Sequence, residues 1–150
     1  MSAVIITPIL PRNLTRQSPH SPRERLGGFV IAARAVDKCR ASLDGTVGDY
    51  QFDGPLDKML FEFKEISAEQ FKSAVQSLST YEEVGRWLQA SGQLKTLKEI
   101  KTWSDSIEAL RPAHDPEHAL EFSEECRRIG LNPLKSSLFD LLEADDRAAS

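Results

Sequence analysis

A chain of 150 residues with 40% hydrophobic and 28% charged side chains has the makings of one globular domain, not a fibrous or disordered chain. At this length folding removes roughly 70% of the unfolded surface from water, enough for a core. The net charge of −4 hides an asymmetry: through Leu43 seven Lys/Arg face two acidic residues, a balance of +5, and from Asp44 onward the balance is −9, so the two parts either attract each other or steer anions toward the first.

The chain opens on an apolar patch, Ala3 to Leu10, that no positive charge precedes and that prolines interrupt, which is not the layout of a secretory signal. Pro8, Pro11 and Pro19 exclude a continuous helix and predict an extended arm over residues 1–20, followed by a single helical domain over 21–150. The longest apolar run, Phe29 to Ala33, is far short of the roughly 20 residues of a membrane span. Cys39 and Cys126 match neither a disulfide framework nor a metal knuckle, and a reducing cytoplasm is the expected setting.

Helix one is predicted from Ser21, with Ser21 as N-cap, Pro22 at the first helical position and Glu24 three residues after the cap, to Leu43 before Asp44-Gly45. Thr46 to Phe52 reads as one short strand or a loop. Pro55 starts helix two, with Leu56, Met59, Leu60 and Phe63 on one face. Ser67 and Gln70 form a capping box for helix three, Ser79 or Thr80 caps helix four, and Gly92 ends it. Helix five runs from about Leu94 to Leu110, with Leu97, Ile100, Trp103 and Ile107 inward, and Pro112 closes it. Asp115-Pro116 opens a sixth that ends at Gly130; Asn132-Pro133 opens a seventh carrying Leu134, Leu138, Leu141 and Leu142. The tail EADDRAAS is expected to fray. The fold class is all-α: a single compact domain of about seven helices, with at most one short extended segment near 46–52.

On a helical wheel, Leu26, Phe29, Val30, Ala33, Val36 and Ala41 of helix one form one apolar arc. Asp37 and Arg40 fall inside it, and Arg34 and Lys38 flank it. A carboxylate in an apolar face is costly unless paired, so Asp37 is expected to contact Arg34, Arg40 or a group from another helix. Two readings stay open: an ion-pair node that orients the helix, or a pocket in which Arg34, Lys38 and Arg40 bind an anionic group while Asp37 orients them or moves a proton. Gly27-Gly28, inside the predicted helix, suggests close packing against another backbone or the approach of a ligand, packing being the commoner reason.

The stretch RNLTRQSPHSPRERLGGFVIAARAVDKCRA, then G-x-x-GDY, GPLDKMLFEF and ISAEQF, resembles a bacterial family catalogued as domain of unknown function 5069, over about Asn13 to Leu88. Pro22, Arg23, Glu24, Arg34, Asp37, Lys38, Arg40, Tyr50, Pro55, Leu56 and Asp57 match its pattern. Asp49 stands where the family usually has Glu, and Gly54 where it often has Cys, so a thiol there is not this chain's nucleophile. The resemblance implies no activity, and past Gly92 it is not apparent, which sets residues 93–150 apart as C-terminal helices.

No metal site or cofactor is expected. His114 and His118 straddle a helix start and read as polar capping residues, His20 has no visible partner, and Asp57 reads as a helix cap. Nucleic acid is a poor fit to an acidic chain with no RNA-binding signature. The leading expectation is a binding domain for a small anionic ligand or a protein partner through Arg34, Asp37, Lys38 and Arg40. The first alternative is an enzyme on a small polar substrate, with Asp37 or Asp57 as acid/base and Tyr50 as proton donor. The second is a structural or assembly module that forms a homodimer through its C-terminal helices.

Overall fold

The computed structural model describes residues 7–149, and the start of the arm, with most of its apolar patch, lies outside them. Among the described residues there are seven α-helices and no strand: α1 Ala32–Asp44, α2 Pro55–Lys64, α3 Ala68–Ser77, α4 Tyr81–Ala90, α5 Leu97–Glu108, α6 Ala119–Ile129 and α7 Leu138–Ala149, with 3-10 turns at Pro112–His114 and Pro133–Lys135. None is long and apolar enough to cross a membrane. Helix α1 is central and packs on α2, α3 and α4. Its Ala32, Ala35, Val36 and Cys39 join Leu60, Phe61, Phe71, Val75, Val84, Leu88, Ile100 and Phe139 in the core.

The local signals worked where the sequence itself closes the hydrogen bonds. Ser67 and Gln70 cap α3 reciprocally, Pro55 starts α2, and Thr80 accepts from the Glu83 amide to cap α4. A further capping box, Thr96 with Glu99, begins α5 three residues later than the apolar spacing suggested. Leu97 consequently sits in the first turn, 74% exposed instead of inward, and Leu134, ahead of α7 in a 3-10 turn, is 72% exposed. Residues 46–52 form turns.

The first helix is shorter than its start signal implied. Residues 21–31 are a loop, buried at Pro22 and from Phe29 to Ile31, because Gly27 (φ +60°), Gly28 (φ +88°) and Ile31 (φ +75°) all take left-handed backbone. Ser21 works as a turn: its hydroxyl accepts from the Arg23 amide and donates to Glu143. The loop's buried backbone is satisfied from outside. Gln89 donates to the Gly27 carbonyl at 2.9 Å, and the Ser104 hydroxyl donates to that of Gly28 at 2.8 Å and accepts from the Val30 amide at 3.2 Å. The expected close packing is real, with Gly85 of α4 as the partner: a Cβ on Gly27 would lie 2.7 Å from the Gly85 carbonyl oxygen. Gly27→Ala should therefore destabilise the fold by about 2–4 kcal/mol through overpacking and backbone strain. Thermal denaturation checks this against Gly45→Ala, a left-handed position with nothing within 4 Å; equal losses would remove the packing argument.

The described part of the arm, from Thr7, is laid on the domain. Ile9 donates to the Ser79 carbonyl, Tyr81 to that of Thr7 and Leu14 to that of Thr46. This docking brings Arg12 and His20 to α1.

Candidate functional site

Three charged residues of α1 are buried, Arg34 (3% exposed), Asp37 (2%) and Lys38 (5%), and each has a different partner. The Arg34 guanidinium donates two parallel hydrogen bonds to Asp146 of α7, at 2.7 and 3.0 Å, and a third to the His20 carbonyl at 3.3 Å. The Tyr50 hydroxyl donates to the same Asp146 carboxylate at 3.0 Å, and its ring lies 5.5 Å from the Arg34 guanidinium carbon. The tail that was expected to fray is helical through Ala149, and Asp146 is 8% exposed. An Arg–carboxylate fork of this kind is the strongest geometry available to such a pair.

Lys38 reaches Asp57 at 3.0 Å, and the other Asp57 oxygen accepts from the Asp53 amide at 2.9 Å. Asp57 therefore ties the turn ahead of α2 to the α1 charges, while α2 itself has no side-chain cap. Burial pushes the Asp57 carboxyl above its ordinary range against the pull of Lys38, and burial lowers Lys38 against the pull of Asp57. Arg40 does not enter the cluster. It is half-buried and turns to Asp44, one turn along its own helix, at 3.8 Å, so the wheel's pairing of Arg40 with Asp37 is not formed.

Asp37 faces the opposite way, toward the arm. One oxygen accepts from the His20 amide at 2.7 Å and from its Nδ1 at 2.6 Å; the other accepts from the Tyr81 hydroxyl at 2.5 Å. Arg12 adds its charge at 3.8 Å. A carboxylate oxygen accepts, so Nδ1 is the donor and Nε2 is the ring's acceptor, taken up by the Arg12 guanidinium. Around Nε2 stand the Arg12 guanidinium at 3.3 Å and the Glu24 carboxylate at 3.6 Å. Burial and the bond to Asp37 hold the Tyr81 phenol protonated far above its usual range. Tyr50 is raised by burial as well, so both phenols are neutral donors near neutral pH.

His20 and Tyr81 border a cleft of about 540 Å³ between the 20–27 loop and α4, lined also by Thr7, Glu24, Arg25, Leu26, Gly27, Ala33, Glu82, Arg86 and Gln89. Arg34, Lys38, Tyr50 and Asp57 are not among its lining residues. The sequence reading missed His20, Tyr81 and Asp146. One signal was present for each: Asp37 in an apolar face demands donors, Tyr81 follows the Thr80 cap at a core position, and Asp146 falls seven residues after Phe139 on the inner face of α7.

Other candidate groups lie elsewhere. Asp115, Glu117 and His118 come within 4.8 Å of one another, all exposed, with Asp115 already bonded to His118 and to the Glu117 amide. Cys39 and Cys126 are both free and buried, and burial pushes the Cys39 thiol up to about 12, where it is no nucleophile.

A family model described as a domain of unknown function (DUF5069) matches residues 16–148, a span that takes in His20, the three buried α1 charges and Asp146. Comparison with curated proteins returns no match.

Proposed function

The chain belongs to the DUF5069 family, whose description names no activity, and for this member we propose a binding domain for a small anionic ligand, held in the cleft between the 20–27 loop and α4. The observation that carries this reading is the state of the cations. Arg34 and Lys38 are buried against Asp146 and Asp57, and Arg25 of the cleft is engaged by Asp105 at 2.8 Å and Glu108 at 3.7 Å. Arg86, exposed on α4 at the cleft wall, makes no ion pair among the described residues. An anion at Arg34 or Lys38 would have to displace a carboxylate from a buried site; an anion at Arg86 displaces only water.

In this reading Asp37 acts through His20, fixing its ring at the cleft edge while Arg12 holds Nε2. That same pairing favours a second reading, acid/base catalysis on the bound ligand. The Asp37 carboxylate on Nδ1 fixes the ring, and a ligand proton reaches Nε2 only in place of its bond from Arg12.

Titration with acetate and with inorganic phosphate, followed by amide shifts, tests the binding. Saturable shifts are expected at Gly27, Tyr81, Arg86 and Gln89. Arg86→Ala should weaken them about tenfold or more, the worth of one charge-assisted hydrogen bond, while the melting temperature stays put, since the side chain contacts little. Unshifted cleft amides, or superimposable curves for the variant and the natural chain, would overturn the reading.

A further inference from the structure

The cleft holds charges of both signs, and most are already engaged. On the loop wall, Arg25 is turned to Asp105 and Glu108 of α5. On the α4 wall, Glu82 accepts from the Thr7 amide, and the Gln89 amide is committed to the Gly27 carbonyl. Tyr81 donates to Asp37. Two groups remain. Arg86 makes no ion pair among the described residues, and Glu24, with its side chain 58% exposed, has as its one ionic neighbour the His20 Nε2 at 3.6 Å, beyond hydrogen-bond reach.

These two belong to opposite walls, Glu24 to the loop and Arg86 to the helix, and they do not pair with each other. The uncharged Leu26, Gly27 and Ala33 are also part of the cleft lining. An anion alone would satisfy Arg86 and leave its own charge repelled by Glu24. A cation alone would do the reverse. A ligand with one charge of each sign at the two ends of a short apolar body answers both walls at once.

We propose that the occupant of the cleft is a small zwitterion of the amino-acid or short-peptide class, with its carboxylate on Arg86 and its ammonium on Glu24. The inference rests on the anion-binding reading of the same cleft and adds to it a requirement for a cationic end. Glu24 then does more than border His20: it selects against simple anions, because any anion entering without a cation meets its carboxylate.

Parallel titrations with acetate, methylammonium, glycine, a longer amino acid such as leucine, and glycylglycine separate the parts. On the natural chain at least one zwitterion should bind about tenfold or more tightly than acetate, and comparing the amino acids with the dipeptide tells which spacing of charges fits. Glu24→Gln should bring the zwitterion down to the level of acetate without weakening acetate itself. Glu24 is exposed, so an unchanged melting temperature serves as the control for folding. Acetate binding as tightly as every zwitterion, or a zwitterion preference that survives Glu24→Gln, overturns this inference and leaves the anion site standing. If neither acetate nor any zwitterion moves the cleft amides, both readings fall together.

Discussion

Replacing Asp146 by Ala should cost about 3–5 kcal/mol and lower the melting temperature by roughly 6–20 °C, the scale for a domain of this size when a buried charge loses its partner. Asp146 accepts both arms of the Arg34 guanidinium and the Tyr50 hydroxyl. Once it is gone, Arg34 keeps only the His20 carbonyl at 3.3 Å, in a place 3% exposed. Water cannot reach the cation without opening the contact between α1 and α7. The penalty is that of desolvated charge, which exceeds the worth of the pair itself. Chemical denaturation of Asp146→Ala beside Asp145→Ala checks this. Asp145 is 56% exposed and among the described residues its one ion pair is with Arg128, at 3.6 Å, so its loss should fall within about 0.5 kcal/mol. Two variants of equal stability would mean that the tail contributes nothing to the core.

Lys38→Met should be of similar size, about 3–5 kcal/mol, because it leaves the fully buried Asp57 without a cation. Adding Asp57→Asn should restore most of the loss, since an amide oxygen still accepts from the Asp53 amide. The pH dependence separates the pair from ordinary packing. Asp57 is raised above 3.8 in the folded chain, so its contribution is full below that value and is lost as pH rises through the folded value. Lys38 is lowered below 10.5, so its contribution is full above that value and is lost as pH falls through the folded one. Because the Asp57 contribution shrinks as pH rises, the stability of the double variant relative to the natural chain should be greater at about pH 7 than at about pH 4. A difference that does not change with pH would sink the assignment.

The parts of this fold legible in the sequence are those whose physics is local. Ser67 with Gln70, Pro55, Thr80 and the left-handed stop at Gly45 act within one turn, and spacing placed each of them, leaving Thr80 to be told from Ser79 by the structure. The beginning of α1 was not, because what unwinds residues 21–31 is the backbone of Gly85, far along the chain, against Gly27. The charged face of α1 was visible, but the wheel put Asp37 and Arg40 inside it and Arg34 and Lys38 on its flank, whereas Arg40 is half-buried and Arg34, Asp37 and Lys38 are the buried ones. Their partners were hidden by distance: Asp146 is 112 residues from Arg34, and Tyr81 is 44 from Asp37. A run of acidic residues at the end of a chain resembles a solvated tail until the helix that carries it is docked. Only the third dimension distinguishes the cations that are occupied from Arg86, which is available.

The same separation has a consequence for how the protein is made. Arg34 leaves the ribosome 112 residues ahead of its carboxylate, which at ~5–20 residues per second is about 6–22 s. Through that interval α1 carries a charge that its own neighbours do not neutralise, and the segment holding His20 lacks its tie from Ser18 to the Asp146 carbonyl and from Ser21 and Arg23 to Glu143. The nascent chain can assemble α2, α3 and α4 around the apolar side of α1, but the arm side closes last. The arm's ties to α7 thus form only after α7 has been made, and a chain clipped ahead of Asp146 would lack both the Arg34 fork and the Ser18 tie.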